Sequence, residues 1–169
     1  MSRPCKTQYY LDIATAVAQR SSCLRRKYGS VIVKNDQIIS TGFNGNPRGT
    51  VNCCDLKICS KNLNKIPHGV GYAEFCESVH AEMNAIIHSS RSDMLDSTLY
   101  LSGIDYETGK LLLNVEPCSI CYRMIINAGI KEIVVVANAE SPNFHEKYKI
   151  TDIRDLVNEM RLAKIKERE

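Results

Sequence analysis

The stretch PCSICYRMIINAGIKEIVVVA, residues 117–137, joins a helical pattern directly to a strand pattern. Pro117 is predicted to be the first residue of the helix. An N–H at that position has no intrahelical partner, so proline, which has no N–H, loses no hydrogen bond there. Gly129 is predicted to end it. Residues 133–137 are continuously apolar, which is typical of a parallel strand buried on both faces. A helix that leads into such a strand favours an α/β domain.

Toward the N-terminus, the sequence predicts a helix followed by a hairpin. The apolar spacing within residues 10–17 predicts an amphipathic helix over about 4–20. Residues 31–33 and 38–39 are short β-type runs, and the Asn35-Asp36 pair between them suits a tight turn. These two runs therefore predict a β-hairpin.

The remaining segments complete one domain over residues 1–169. Apolar spacing predicts a helix over about 79–90, a strand follows at 98–101, and the chain returns through 111–113. Thr151 is predicted to cap a last helix. The apolar side chains that this helix would bury are Ile153, Leu156, Val157 and Met160. Helices and strands in this order predict a mixed sheet between helices.

Composition restricts the function classes. Net charge is +3, from 22 basic and 19 acidic residues, and tryptophan is absent. The chain thus lacks the strongly basic, aromatic surface that tracks a nucleic-acid strand. It has no apolar run long enough for a membrane-spanning helix, and residues 1–6 lack the apolar core of a signal peptide. We therefore expect a cytoplasmic protein with no nucleic-acid and no membrane partner.

Two short motifs indicate a catalytic metal. Eight cysteines without a signal peptide favour metal binding or catalysis over disulfides. His80 lies at the start of one predicted helix, and Cys118 and Cys121 share a face in the first turn of another, where exposed N–H groups favour thiolates. One histidine and two cysteines leave one position of a tetrahedral zinc open for water, as in catalytic zinc sites.

Glu82, two residues after His80, is the candidate proton carrier. Zinc lowers the pKa of its water to about 7, so a bound hydroxide could attack the amidine-like C4 of a cytosine ring. Glu82 could take the water proton and protonate the ring nitrogen and the departing amine. The combination of H-x-E with P-C-x-x-C is the signature of zinc deaminases.

Most of the chain, about residues 10–137, resembles the cytidine deaminase-like superfamily, and within it the deoxycytidylate (dCMP) deaminases. The segments that carry this resemblance are residues 31–34, 40–49, 79–87, 116–121 and 125–130. The resemblance implies a three-layer α/β fold with a mixed five-stranded sheet between helices. It also implies hydrolytic deamination of dCMP to dUMP and ammonia, which supplies dUMP for thymidylate synthesis.

The same resemblance implies how the enzyme would be regulated and assembled. Family members are commonly homo-hexamers that dCTP activates and dTTP inhibits, with Mg accompanying the triphosphate. The loop over 42–49 matches the region that contacts nucleotides, which makes Asn44 a candidate for the substrate sugar and Gly45 its neighbour in the site. Alternatively, this loop is a tight connection with Asn44 as a turn residue. Arg26 and Arg48 are phosphate candidates, because arginine binds phosphate bidentately.

A second, structural zinc is expected near residues 50–77. This inserted segment shows no clear hydrophobic period, and a loop of this length inside a compact domain needs a feature that keeps it ordered. Cys23 and Cys53 match ligand positions of such a site in family members. Cys59 and Cys76 would complete a four-cysteine site, and Cys54 or His68 could replace either. The alternative is that these cysteines are free thiols.

Two rival functions use the same fold. An RNA- or single-stranded-DNA-editing deaminase would share the chemistry but needs a basic groove and stacking aromatic side chains. A binding protein on a degenerate deaminase fold would have lost the glutamate or a ligand, whereas this sequence keeps His80, Glu82, Cys118 and Cys121. Deamination of dCTP as well as dCMP stays open within the main interpretation.

Overall fold

A mixed β-sheet forms the centre of the molecule in the computed structural model, which describes residues 3–158. The strands are β1 (Arg26–Lys34), β2 (Gln37–Phe43), β3 (Thr98–Asp105), β4 (Leu111–Leu112), β5 (Glu132–Val136) and β6 (Tyr148–Asp152). They lie in the order β2-β1-β3-β5-β6, and β4 pairs with β3 off this path. β3 and β5 are parallel, and the other pairs are antiparallel.

Helices lie on both faces of this sheet and in the connections. They are α1 (Lys6–Ala18), α2 (Cys53–Leu56), α3 (Ser60–Leu63), α4 (Tyr72–Phe75), α5 (Ala81–Ile87), α6 (Arg91–Met94), α7 (Ser119–Ala128) and α8 (Phe144–Lys147). Residues 153–158 are also helical. Within the described range, none of these helices has the length and apolar character that crossing a bilayer requires.

Two buried clusters, one on each face of the sheet, establish the three layers. Val31 and Val33 of β1 pack with Tyr10, Leu11 and Ala14 of α1. The intervening Ile32 points to the other face, as strand alternation requires. The residues that join Ile32 there include Ala85 of α5, Ile125 of α7, Leu99, Leu101 and Ile153. The helix–sheet–helix architecture expected from the resemblance is thus confirmed.

The hairpin between β1 and β2 positions helix α5. Asn35 and Asp36 have φ of 50° and 63°, the left-handed conformation that a type I′ hairpin turn requires, so the predicted hairpin is confirmed. A Cβ at Gly42 of β2 would lie 2.3 Å from the carbonyl oxygen of Ala81 and 2.3 Å from the nitrogen of Ala85. The absent side chain therefore lets α5 rest directly on the backbone of β2.

The predicted boundaries of α7 and α5 need correction. Pro117 was expected as the first helical residue, but α7 begins at Ser119 with Cys118 as its N-cap. The helix begins after Cys118 because the sulfur of this N-cap residue accepts a hydrogen bond from the N–H of Cys121. α5 is shorter than the predicted 79–90, and the expected apolar stripe is wrong at Ile87, which is 67% exposed. The buried face of α5 instead consists of Ala81, Glu82 and Ala85.

The predicted strand at 111–113 and the start of the last helix also need correction. Only Leu111–Leu112 pair, with β3, and the fifth strand of the continuous path is β6 instead. Thr151 lies in β6 and does not cap a helix. Asp152 takes that place, because its carboxylate accepts the N–H of Arg154 at 2.8 Å. Ile153 is buried as predicted, whereas Met160 lies outside the described residues.

Candidate active site

The N-terminal ends of α5 and α7 meet and bring three metal-binding side chains together. His80 is the N-cap of α5, Cys118 is the N-cap of α7, and Cys121 lies one turn into α7. Nδ1 of His80 is 3.5 Å from Sγ of Cys118 and 3.4 Å from Sγ of Cys121. Among residues 3–158, these three form the one cluster of histidine, cysteine or carboxylate ligand atoms that all lie within 4.8 Å of one another.

The spacing and chemistry of this cluster fit zinc. Zinc–sulfur and zinc–nitrogen bonds of about 2.3 and 2.0 Å in a tetrahedron place the two ligand atoms about 3.5 Å apart. The sulfur–nitrogen distances of 3.4 and 3.5 Å agree with that geometry. Because one imidazole and two sulfurs are ligands that zinc prefers, His80, Cys118 and Cys121 could hold this ion with one position open.

The two thiols share a single negative charge. The pKa of Cys118 is lowered to about 3, mainly because Cys121 donates a hydrogen bond to it and His80 adds another. The pKa of Cys121 is raised, because its proton serves that bond and its sulfur is buried. Burial lowers the pKa of His80, but the bond with Cys118 and the charge of Glu82 outweigh it and the net shift is upward. A cation bound here would release the remaining thiol proton.

Glu82 places a carboxyl group beside these ligands. Its side chain is 5% exposed and interacts with the thiol of Cys121. Burial raises the pKa of Glu82, since a low dielectric disfavours the charged form. A buried carboxyl group beside the cluster can both accept and donate a proton, as general acid–base catalysis requires.

A cavity of about 410 Å³ opens onto this cluster. Cavities of this size take small-molecule ligands. Arg26, Asn44 and Gly45, three of the residues expected to bind nucleotide, line the cavity together with His80, Glu82 and Cys118. Arg48 does not line it and is exposed.

Asn44 is tied to strand β1. Its Oδ1 accepts the N–H of Tyr28 at 2.7 Å, and its Nδ2 donates to the carbonyl of Arg26 at 3.0 Å. The side chain is buried, and its two hydrogen bonds to the backbone of β1 continue the pairing of β1 beyond the end of β2. Each end keeps one further hydrogen-bonding position, so Asn44 can order the loop and still face a ligand.

The cysteines expected at a second metal line one region without forming a ligand cluster. Cys23, Cys53, Cys59 and Cys76 all line the cavity, as does His68. Within the described residues, no three of these sulfurs lie within 4.8 Å of one another. Burial raises the pKa of the Cys53 and Cys76 thiols. Cys54 is exposed and does not line the cavity.

Two cavity residues of the inserted segment escaped sequence reasoning. The ring of Tyr72 contacts the ring of His80, with centroids 4.2 Å apart, and its hydroxyl donates to the carbonyl of Ser78 at 2.6 Å. Lys61 is 8% exposed and donates to the carbonyl of Val70. Residues 50–77 show no period, so no spacing pointed to either residue.

Comparison with known proteins agrees with this geometry. The model of the cytidine and deoxycytidylate deaminase zinc-binding region matches residues 4–137. The deoxycytidylate deaminase of Mycobacterium phage D29 is 38% identical over 138 residues, which are 79% of this chain and 96% of the phage protein. The deoxycytidylate deaminase of Homo sapiens is 28% identical over 152 residues, which are 89% of this chain and 73% of the human protein.

A solved structure shares the fold. The dCMP deaminase from the cyanophage S-TIM5, in complex with dCMP and dUMP, superposes with a TM-score of 0.54 at 28% identity and covers 79% of this chain and 82% of its own. The match of the family model to most of the chain, together with the paired motifs at the starts of α5 and α7, shows that the chain belongs to the cytidine and deoxycytidylate deaminase family, and within it to the deoxycytidylate deaminases of the cytidine deaminase-like superfamily.

Proposed function

We propose that this protein catalyses the hydrolytic deamination of dCMP to dUMP and ammonia. The observation that carries the proposal is the buried carboxyl group of Glu82 beside the His80–Cys118–Cys121 cluster, at one cavity. The deoxycytidylate deaminases among its relatives and the dCMP and dUMP complex of the cyanophage enzyme support this choice of substrate.

In this proposal, His80, Cys118 and Cys121 hold zinc and Glu82 moves the protons. Bound zinc supplies Lewis-acid activation of a water molecule. Glu82 takes one proton from the attacking water and gives it to N3 of the cytosine ring. It then takes the proton of the new C4 hydroxyl and gives it to the amino group, which leaves as ammonia while C4 becomes a carbonyl. One water is consumed, and Glu82 returns to its starting state.

The residues around Glu82 hold its carboxyl group in place. Cys121 is fully buried, and Ala81 and Ala85 pack α5 into the core. Because α5 rests on the backbone of β2 at Gly42, the backbone that bears the carboxyl group of Glu82 is held in a fixed position. Positioning of a catalytic group in this way removes much of the entropic barrier.

Ammonia release from dCMP, deoxycytidine, dCTP and CMP tests the proposal. We expect dCMP to be the preferred substrate and dUMP to accumulate in equal amount to ammonia. Preference for a polynucleotide, or no release from any cytosine compound, would refute the proposed reaction. Turnover of dCTP at a comparable rate would assign a dual specificity instead.

We further propose a structural zinc held by Cys23, Cys53, Cys59 and Cys76. The position of all four cysteines around one cavity supports it, because four sulfurs are a ligand set of structural zinc sites. Metal analysis should then find two zinc ions per chain.

Regulation and assembly rest on family resemblance alone. We propose activation by dCTP, inhibition by dTTP, Mg bound with the triphosphate, a homo-hexamer and a cytoplasmic location. Initial rates with each triphosphate, with and without Mg, and the mass of the particle in solution are the corresponding measurements.

A further inference from the structure

Lys61 is an unusual residue to find buried. It is 8% exposed, in the short helix α3 of the inserted segment. Its ammonium group donates to the carbonyl of Val70, and among residues 3–158 no ion pair includes it. Lysine is almost never fully buried unless it is paired, because removing an ammonium group from water is costly. Among residues 3–158, no carboxylate supplies the anionic partner that this burial calls for.

Two arginines share the cavity with Lys61. Arg25 and Arg26 line it together with the carboxyl groups of Glu82 and Glu116, and burial lowers the pKa of His68, which favours its neutral form. None of the ion pairs within the described range includes either arginine, and Arg25 donates instead to the carbonyl of Ile66 at 3.0 Å. Within the described residues, Lys61, Arg25 and Arg26 thus line the cavity without an ion-pair partner.

The chemistry of a phosphate monoester matches this arrangement. Such a group carries between one and two negative charges at neutral pH and several acceptor oxygens. Lysine binds phosphate as a point charge, and arginine adds planar donors. A cavity that accepts cytosine at Glu82 and also offers cations without ion-pair partners suits a nucleoside monophosphate better than a nucleoside.

We propose that Lys61 binds the 5′-phosphate of the substrate and sets the preference for nucleotide over nucleoside. This proposal rests on the proposed deamination of dCMP. It assigns the inserted segment a part in substrate recognition through a residue outside the two zinc motifs. Lys61 contacts no reacting atom, so it determines specificity and takes no part in proton transfer.

Kinetics with dCMP and deoxycytidine test the proposal. In Lys61→Met, kcat/KM for dCMP should fall roughly 10- to 100-fold, the effect of losing a hydrogen bond to a charged group. The kcat/KM for deoxycytidine should change less than about 2-fold, because this substrate has no phosphate. Lys57→Met is the matched control, since Lys57 lies in the same segment but is exposed and does not line the cavity. It should leave both values unchanged.

Binding of dUMP supplies a readout independent of turnover. Calorimetric titration should show dUMP binding weakened by Lys61→Met, while deoxyuridine binding stays the same. Lys61→Gln keeps a hydrogen-bond donor in the side chain while it removes the charge, so it decides the matter if the Met variant does not fold.

Three results would overturn the proposal. Equal losses with dCMP and deoxycytidine would assign Lys61 a purely structural role. A drop in zinc content in Lys61→Gln would assign its charge to balancing cysteine thiolates. Unchanged discrimination between the two substrates would show that the arginines suffice. If the unmodified protein releases ammonia from neither substrate, the proposed function itself fails, which is a different result from a loss of discrimination.

Discussion

The two helix starts that hold the catalytic cluster differ sharply from the inserted segment that faces them. His80 and Cys118 are N-caps of helices that pack on the sheet, and the sulfur of Cys118 accepts a hydrogen bond from the first turn of its helix, whereas the side chain of His80 makes no cap hydrogen bond. Residues 50–77 form three four-residue helices and leave large apolar side chains exposed, among them Leu63, Val70 and Val51. The difference teaches that the proposed chemistry lies on the regular elements, whereas irregular chain lines the cavity opposite them.

The largest effect is expected at Glu82, on the regular side. Glu82→Gln keeps the shape of the side chain but cannot exchange protons. We expect kcat to fall by about 10³-fold or more, with zinc content unchanged. Ammonia release and metal analysis on the same sample check this. Retained turnover would exclude Glu82 as the proton carrier.

Cys118→Ser should come next in size. Serine is a poor zinc ligand, so we expect loss of one zinc ion per chain and a fall in kcat/KM of at least about 10²-fold. Cys54→Ser is the control, because Cys54 is exposed and does not line the cavity. A Cys118→Ser variant with full zinc content would remove this cysteine from the proposed ligand set.

Tyr72 sharpens the comparison, because it joins the irregular segment to the catalytic cluster. Its ring packs on His80, and burial raises its pKa to about 12, so the hydroxyl stays a donor. Tyr72→Ala should lower zinc affinity or kcat by roughly 10-fold, since residues that orient a ligand matter at this scale. Tyr72→Phe keeps the ring and should lose less. Equal effects in both variants would locate the contribution in the hydroxyl instead.

The smallest effect is expected at Arg48, which was predicted to bind phosphate. Because its side chain is exposed and does not line the cavity, Arg48→Met should change KM for dCMP less than about 2-fold and stability by less than about 0.5 kcal/mol. Steady-state kinetics and a thermal melt measure both. A 10-fold rise in KM would restore Arg48 as a substrate ligand and show that the loop over 42–49 closes on the nucleotide.

Sequence reasoning succeeded where local chemistry determines structure. The Asn35-Asp36 turn and the end of α7 at Gly129 follow from short-range rules. The meeting of His80 with the two cysteines is a long-range contact, which the combination of the two motifs predicted. Sequence reasoning failed where long-range strand pairing decides. β6 was missed because its residues, Tyr148–Asp152, form a strand only by pairing with β5, and their pattern alone suggested the start of a helix.

The site was predictable to the same extent. The paired motifs locate four chemically active side chains, but nothing in the spacing of residues 50–77 reveals that Lys61 and Tyr72 reach the cavity. Their placement depends on how an aperiodic segment folds against β1 and α5, which is a property of tertiary packing.

The bare contact between Gly42 and α5 makes the outer hairpin part of the catalytic framework. The backbone of Gly42 contacts the backbone of α5 with no side chain between them. A shift of β2 therefore moves the first turn of α5 and the carboxyl group of Glu82. Displacements near 1 Å can reduce rates about 10²-fold. Substitutions on the solvent side of the hairpin, remote from any bound nucleotide, should therefore alter turnover, because they shift β2 and with it the backbone of α5.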